Sequence, residues 1–257
     1  MLSVICPIYN EAKYIDVCVQ SILLQDYPKQ QLEVLFVDGM SKDGTRDIVN
    51  NYSKQYPFIR LLNNEKRIVP VAMNIGIKAS IGDIVMRLDA HAQYPPNYFS
   101  VLVKELVRLR ADNVGVACKT DVLNKTSKTL AIREVLSNRF GVGNSTFRLG
   151  VDKVIEVDTV PFGCWKKDVF NKYGFYDERL IRNQDIELNK RIVRGGGHIF
   201  IVPDTYCTYL ARETFDGLAK NNFGNGKWNI LTVYYTKQFK SLSVCLLYTS
   251  PSPRDRG

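Results

Sequence analysis

Two hydrophobic rhythms take turns along this chain. Residues 2–6 form a short apolar run of the kind found in a strand buried on both faces, and Ile15, Cys18, Val19, Ile22 and Leu23 then recur at helical spacing. Residues 32–37 are a second apolar run. A polar turn over residues 38–44 follows, and Thr45 stands where a helix reaching about Tyr56 would be capped. Residues 59–62 read as a third strand, and Pro70 suits the first turn of a helix ending at Ala79. Residues 84–88 give a fourth strand, Pro96 opens a helix to about Arg110, and residues 114–118 give a fifth strand. Strands alternating with helices predict an α/β fold, a mostly parallel sheet with helices on both faces. Such sheets bind ligands at the carboxyl ends of their strands. Residues 7–11, 38–43 and 89–91, rich in polar and ligand-type side chains, all fall there.

The alternation fails after Thr120. Residues 119–153 are polar and contain glycine, with one helical stretch at 130–138. A strand-like run over 154–160 precedes Phe162-Gly163-Cys164-Trp165. A helix is expected over Gln184–Arg194, and residues 214–240 are aromatic, basic and helical in pattern. No internal repeat or clear linker divides the chain, so it reads as one domain in two halves, 1–118 and 119–240. The segment Cys245-Leu-Leu-Tyr-Thr-Ser-Pro-Ser-Pro-Arg-Asp255 ends the helical pattern abruptly. It resembles the translation of a common sequencing adapter. Residues 245–257 therefore read as a non-native tail, and the native protein is expected to continue past Val244.

Composition narrows the partners. The 257 residues carry 35 basic and 26 acidic side chains, a formal charge of +9 that favours phosphates, nucleotides, nucleic acid or an anionic membrane surface. Cys6, Cys18, Cys118, Cys164, Cys207 and Cys245 have neither zinc-site nor redox-pair spacing and read as reduced thiols of a cytosolic protein. The N-terminus lacks a signal-peptide pattern, and no stretch reaches the ~18 apolar residues of a membrane span. The expected location is cytoplasmic. Residues 214–240 either pack on the core or lie on the inner face of the plasma membrane. On the membrane reading, Lys220, Lys227, Lys237 and Lys240 face anionic lipid while Leu218, Trp228, Ile230 and Leu231 bury.

Candidate chemistry gathers in four segments, each with a plainer structural reading. Asp89-Ala90-His91 places a carboxylate and an imidazole two residues apart just past a strand, where both can reach one cation; alone it reads first as a turn beside a surface histidine. In Asp38-Gly39-Met40-Ser41-Lys42-Asp43-Gly44-Thr45, a strand-end Asp can accept from a base imide; the alternative is a tight turn ahead of a helix. In Pro7-Ile8-Tyr9-Asn10-Glu11, Tyr9 can stack on a nucleobase, while Glu11 equally suits the first turn of a helix. Arg182-Asn183-Gln184-Asp185-Ile186-Glu187 begins a helix with two carboxylates, either of which can take a proton from a hydroxyl or simply complement the helix dipole. His198, which follows three glycines, reads as structural. No P-loop and no strand-borne G-x-G-x-x-G is present, which argues against a phosphate-loop ATPase and a dinucleotide oxidoreductase.

Taken in order, these segments, with Asn74-Ile75-Gly76 and Gly82-Asp83-Ile84, resemble the family 2 glycosyltransferases of GT-A fold over roughly residues 2–240. Arg87-Leu-Asp-Ala-His-Ala92, Arg182-Asn-Gln-Asp185 and Phe223-Gly-Asn-Gly-Lys-Trp228 are similar to the branch typified by succinoglycan-type exopolysaccharide enzymes. The resemblance implies a GT-A type, Rossmann-like sheet, with residues 1–118 binding the nucleotide sugar and 119–240 carrying the acceptor site and base. It implies that Pro7, Tyr9, Glu11 and Asp38 line the nucleoside pocket, with Asn74 and Arg87 also on the donor side. Asp89, with His91, holds Mg²⁺ or Mn²⁺. Asp185 is the catalytic base, and Lys227 and Trp228 lie near the diphosphate and acceptor. The implied partners are a nucleotide-sugar donor, UDP-sugar first, and a glycan or lipid-linked saccharide acceptor, with no nucleic acid. Two positions depart from the family pattern: His91 replaces a second acid, and Lys227 replaces an arginine, a point charge in place of a planar fork. The rival readings are a nucleotidyltransferase, which needs a Gly-rich, Arg-bearing loop where Pro7-Ile8-Tyr9-Asn10-Glu11 stands, and a non-catalytic nucleotide- or glycan-binding module.

Overall fold

A computed structural model describes residues 1–137, 150–211 and 213–237. The expected adapter-like tail, Lys240 and the last residue of the helix expected at 130–138 lie outside the described residues.

Among the described residues the chain forms β1 (Leu2–Ile8), α1 (Ile15–Leu23), β2 (Leu32–Asp38), α2 (Thr45–Gln55), β3 (Ile59–Asn63), α3 (Val69–Ala79), β4 (Ile84–Arg87), β5 (Ala92–Gln93), α4 (Tyr98–Arg108), β6 (Asn113–Asp121) and α5 (Ser127–Ser137). It continues as β7 (Ile155–Glu156), β8 (Cys164–Lys166), α6 (Asp168–Tyr173), α7 (Gln184–Arg194), β9 (Ile199–Leu210) and α8 (Phe215–Thr236). The strands make one sheet in the order β3-β2-β1-β4-β8-β6-β9-β5, with β7 also on β9. The long ladders, β1 with β2 and β4, β2 with β3, and β6 with β9, are parallel. The antiparallel ladders of β8, β5 and β7 are only two or three residue pairs long.

The sheet buries both faces because its central strands are apolar throughout, and strand alternation sends neighbours to opposite sides. Val4, Cys6, Val34, Phe36 and Met86 point into one core with Ile15, Cys18 and Ile22 of α1 and Phe99, Leu102 and Leu106 of α4. Ile5, Leu35, Val37 and Val85 point into a second core with Met73 and Ile77 of α3 and Leu188 and Ile192 of α7. Gly76 is what lets α3 lie so close to β1: a Cβ there would sit 2.5 Å from Ile5 Cγ2.

Several expectations shift. The strand expected over 154–160 shrinks to Ile155–Glu156. The Cys164-Trp165 segment becomes β8, wedged antiparallel between β4 and β6. The twelve-residue β9 was not foreseen, because Pro203-Asp204 interrupts its apolar run where the register with β6 slips. Thr45 is not the cap of α2. Gly44, at φ 94°, occupies that position, and Asp43 Oδ1 accepts from Thr45 N at 3.1 Å.

Candidate active site

Strand order reverses between β1 and β4, so the crevice beyond their carboxyl ends is where such a sheet offers a site. The loops after β1 and β2 are stitched into one floor. Ser41 Oγ accepts from Asn10 N at 2.8 Å, Asn10 Oδ1 from Lys42 N at 3.0 Å, and Thr45 Oγ1 from Glu11 N at 2.8 Å. Asn10 and Met40 hold left-handed backbone at φ 55° and 64° to make these turns. The Tyr9 ring lies on Gly39, where a Cβ would come within 3.0 Å of it, and Tyr9 is 46% exposed. An aromatic face is thus presented at the strand ends, as expected, with Pro7 half-buried beneath it.

Asp38 behaves differently from the expectation. Its carboxylate is fully buried and accepts from Arg46 Nη1 at 2.5 Å, Ser41 Oγ at 2.5 Å and Ser41 N at 3.0 Å. The expected contact with a base imide is closed in this conformation. What Asp38 presents toward the crevice is Arg46, whose second nitrogen donates to Asn63 Oδ1 at 2.8 Å.

Asn74 is a clearer correction. It donates to Tyr176 O at 3.0 Å and Glu178 Oε1 at 3.1 Å, and its carbonyl accepts from Tyr176 N at 3.0 Å. Being buried and committed, it braces the segment that leads to Asp185 and does not face a donor.

After β4 the chain turns sharply. The buried Tyr94 hydroxyl accepts from Asp89 N at 2.8 Å and lies 3.2 Å from Asp89 O, clamping the turn. Asp89 keeps 18% of its side chain exposed. His91 faces Glu11, Nδ1 to Oε1 3.4 Å, and packs edge-on to Tyr209 at 5.2 Å between ring centroids.

Arg87 lies beneath this turn instead of in the crevice. Its guanidinium donates to Asp89 Oδ1 at 3.2 Å and sits 5.8 Å from the centre of the Phe162 ring. Phe162 adopts left-handed backbone at φ 61° to reach that place. Burial works against the charge, yet Asp89 and then Asp185 outweigh it and hold Arg87 above its ordinary value. Its Nε and Nη1 are buried with no hydrogen-bond partner, and the buried Tyr176 hydroxyl faces the guanidinium outside hydrogen-bonding geometry.

Asp185 enters from the other half. Asn183, at φ 61°, starts α7, and Asp185 Oδ1 accepts from Ile186 N at 2.9 Å. The two carboxylates of this turn separate in role. Glu187 is taken by Arg191, which donates to both its oxygens at 2.7 Å, while the charge of Asp185 acts on the buried Arg87.

Lys227 and Trp228 lie on α8, the lysine exposed and the indole half-buried; no side-chain contact brings either to Asp89. Leu218, Trp228 and Leu231, expected to bury in lipid, are half covered. The exposed large apolar residues of α8 are Phe215 at its start and Phe223, Ile230 and Tyr234, the last three at 77%, 68% and 63%; these three lie along one side. They share a face with the exposed Lys227 and Lys237. Among the described residues no helix is long and apolar enough to cross a membrane. His198, read as structural, is exposed and pairs with Glu156 at 2.7 Å.

Arg46, Tyr94, Phe162, Tyr176 and Arg182 were not singled out for these contacts from sequence. Arg46 and Tyr94 close short turns, onto Asp38 and Asp89, while Phe162, Tyr176 and Arg182 are recruited by contacts far along the chain.

A doubly covered sheet with an aromatic platform and a turn-borne carboxylate at its switch point, faced by a second carboxylate from a helix start, defines a nucleotide-dependent α/β transferase class. The model of glycosyl transferase family 2 matches residues 3–174, and the chain belongs to that family. It is 28% identical over 230 residues to the dolichyl N-acetyl-alpha-D-glucosaminyl phosphate 3-beta-D-2,3-diacetamido-2,3-dideoxy-beta-D-glucuronosyltransferase of Methanococcus voltae, covering 88% of this chain and 71% of that one. It is 29% identical over 236 residues to the succinoglycan biosynthesis protein ExoA of Rhizobium meliloti, covering 87% and 67%. The fold matches the mannosyltransferase PcManGT of Pyrobaculum calidifontis, solved with GDP-Man and Mn²⁺, at TM-score 0.67 and 20% identity, over 96% of this chain and 68% of that one. It also matches S. aureus TarS 1–349 with UDP-GlcNAc at TM-score 0.66 and 17% identity, over 96% and 72%, though the chain covers only 39% of a longer TarS chain. The expected GT-A fold and glycosyltransferase class hold, and family membership sets the nucleotidyltransferase reading aside.

Proposed function

We propose that this glycosyltransferase moves a sugar from a nucleoside diphosphate sugar, a UDP-sugar first, to a glycan or lipid-linked saccharide in polysaccharide biosynthesis. The carrying observation is that Asp89, just past the end of β4, bonds the buried guanidinium of Arg87, on which the charge of Asp185, distant in sequence, also acts. Residues 1–118 hold the donor and 119–240 bring the base and acceptor. Tyr9 stacks on the nucleobase, with Pro7 and Glu11 beside it, and Asp38 acts through Arg46.

The residues fit a divalent ion. No cluster of three or more His, Cys, Asp or Glu forms a ready-made cage among the described residues. Asp89 still offers a partly exposed carboxylate, with His91 and Glu11 two side chains away, and Mg²⁺ or Mn²⁺ commonly completes such a partial set with phosphate and water oxygens. Asp89, with His91, would hold that ion, whose chemistry when bound is to neutralise charge on a departing diphosphate.

Asp185 takes the proton of an acceptor hydroxyl. That oxygen bonds to the anomeric carbon from the face opposite the diphosphate, the carbon–diphosphate oxygen bond breaks, and the configuration inverts. Arg87 holds Asp89, and its charge acts on Asp185 as well. Lys227 adds positive charge toward the leaving group, and Trp228 flanks the acceptor. The test is a nucleotide-sugar screen for nucleoside diphosphate release, with and without chelator. Asp185→Asn should bind donor yet lose roughly 10²–10⁴-fold in turnover. Near-normal turnover by that variant removes Asp185 from the mechanism. Donor binding by the native chain without release would favour a non-catalytic module.

The exposed face of α8 supports a cytoplasmic enzyme touching the inner face of the plasma membrane, with Phe223, Ile230 and Tyr234 at the lipid boundary and Lys220 and Lys237 toward anionic headgroups. Salt-sensitive co-sedimentation with anionic vesicles is expected; no binding at low salt sinks the idea.

A further inference from the structure

Helix α8 meets the body of the molecule through a row of amides. Asn221, Asn225 and Asn229 are spaced four residues apart and so line one face of the helix. This row meets the two residues just ahead of α7. Arg182 Nη1 donates to Asn221 Oδ1 at 2.9 Å and to Asn225 Oδ1 at 2.7 Å, and Asn183 Nδ2 donates to Asn229 Oδ1. Gly224 sits between the first two rungs. A Cβ there would come within 3.1 Å of Arg182 Cζ, so glycine lets the guanidinium lie against the helix. Asn229 is buried, 6% exposed, although the opposite side of α8 shows Phe223 and Ile230 to solvent.

The anchored residues are the ones that set the start of α7. Asn183 occupies its left-handed cap position, and its carbonyl accepts from Glu187 N at 2.9 Å. Asp185 lies two residues further on, within the turn that this bond closes. Tilting α8 or freeing Asn183 would swing the Asp185 carboxylate away from Arg87.

We infer that the Asn221, Asn225 and Asn229 row, through Arg182 and Asn183, positions Asp185 for proton transfer, making Arg182 and these asparagines positioning residues. The inference rests on the reading of Asp185 as base. Misplacing a reacting group by about an ångström costs on the order of 10²-fold in rate. The row is therefore expected to act on turnover and leave donor affinity alone.

The test uses the full chain with Asn225→Ala, Asn225→Asp and Arg182→Lys, each in the native and the Asp185→Asn background. Asn225→Ala changes a half-buried helix position to a strong helix former and is expected to fold. Two measurements are made. Hydrogen exchange over residues 183–188 should speed up in Asn225→Ala and return toward native in Asn225→Asp, which keeps an oxygen for Arg182. Nucleoside diphosphate release, from whichever sugar nucleotide of a panel the native chain turns over fastest, should fall about 10–100-fold in kcat with donor KM unchanged. In the Asp185→Asn background the same substitution should cost less than about twofold, because the group it positions is already gone. An equal penalty in both backgrounds, a loss confined to donor KM, or unchanged exchange in the first turn of α7 would overturn the inference. If Asp185→Asn alone keeps native turnover, the base assignment fails and so does the positioning role. If the native chain releases no diphosphate from any donor, the enzyme reading is what fails, and the exchange result decides for or against the row.

Discussion

Replacing Arg87 by leucine removes the charge that both site carboxylates face. The guanidinium and Asp89 lie 3.2 Å apart with side chains 8% and 18% exposed, so solvent screens the pair little. At an effective dielectric of 20 their attraction is about 5 kcal/mol at 3.2 Å. Two effects oppose this. Arg87 Nε and Nη1 are buried without partners, and removing them relieves ~1.5 kcal/mol each, together a little over half that attraction. Leucine also fills much of the apolar space beside Phe162. The balance favours the charge by about 2 kcal/mol, which for a chain of this size lowers the melting temperature by roughly 4–8 °C. Turnover should fall by about 10²-fold, since Asp89 and Asp185 lose their common anchor. Arg87→Lys should recover part of the stability and little of the turnover, because a compact ammonium does not reproduce the planar guanidinium between Asp89 and the Phe162 ring. Thermal melts and diphosphate release on the same samples check both numbers. An Arg87→Leu protein that melts at or above the native temperature would show the buried guanidinium to be a net cost, and normal turnover would refute its anchoring role.

Three further outcomes are expected. Tyr9→Ala should weaken UDP binding by roughly 5–150-fold, the worth of one base–aromatic stack, as read by calorimetry, with little change in melting because the ring is half exposed. Gly76→Ala should destabilise the fold by about 1–3 kcal/mol in urea titration, since its new methyl meets Ile5 at 2.5 Å in a packed core. Asp177 is held below its ordinary value of 3.8 by its bonds to Arg179. A depressed carboxylate contributes stability above that value and loses it as pH falls through the folded one. Asp177→Asn should therefore melt below the native chain at neutral pH, and the gap should close in acid.

The first half of the fold was legible because its strands are uniformly apolar and its helices amphipathic. Val4, Ile5 and Cys6 leave no choice but burial on both faces, and the helices after them supply the two covers. The second half was less legible. β8 is three residues long and exists only as an antiparallel wedge, and β9 hides its length behind Pro203. The placing of Tyr9 and Asp89 just past strand ends and of Asp185 at a helix start was legible from the hydrophobic periods, and the carboxyl ends of strands are where a doubly wound sheet offers its crevice. The partners of Asp38, Asn74 and Arg87 were not. Ser41 and Arg46 close on Asp38 within one turn, which the segment allows without dictating; Tyr176 takes Asn74 and the Phe162 ring lies against Arg87 through contacts that no local pattern encodes. The asparagines of α8 stood in view at a spacing of four, but their row acquires meaning only once Arg182 is seen against it.

The sequence by itself determined the layers, the family and the strand ends that carry polar chemistry, because hydrophobic period and local turn residues act over a few positions. Sequence spacing already pairs Glu187 with Arg191, four residues along the same helix. The tertiary structure alone decided that the charge of Asp185 acts on Arg87, a residue of the other half of the chain. Charge pairing across distant segments depends on distance and burial, and those exist only after the chain has folded.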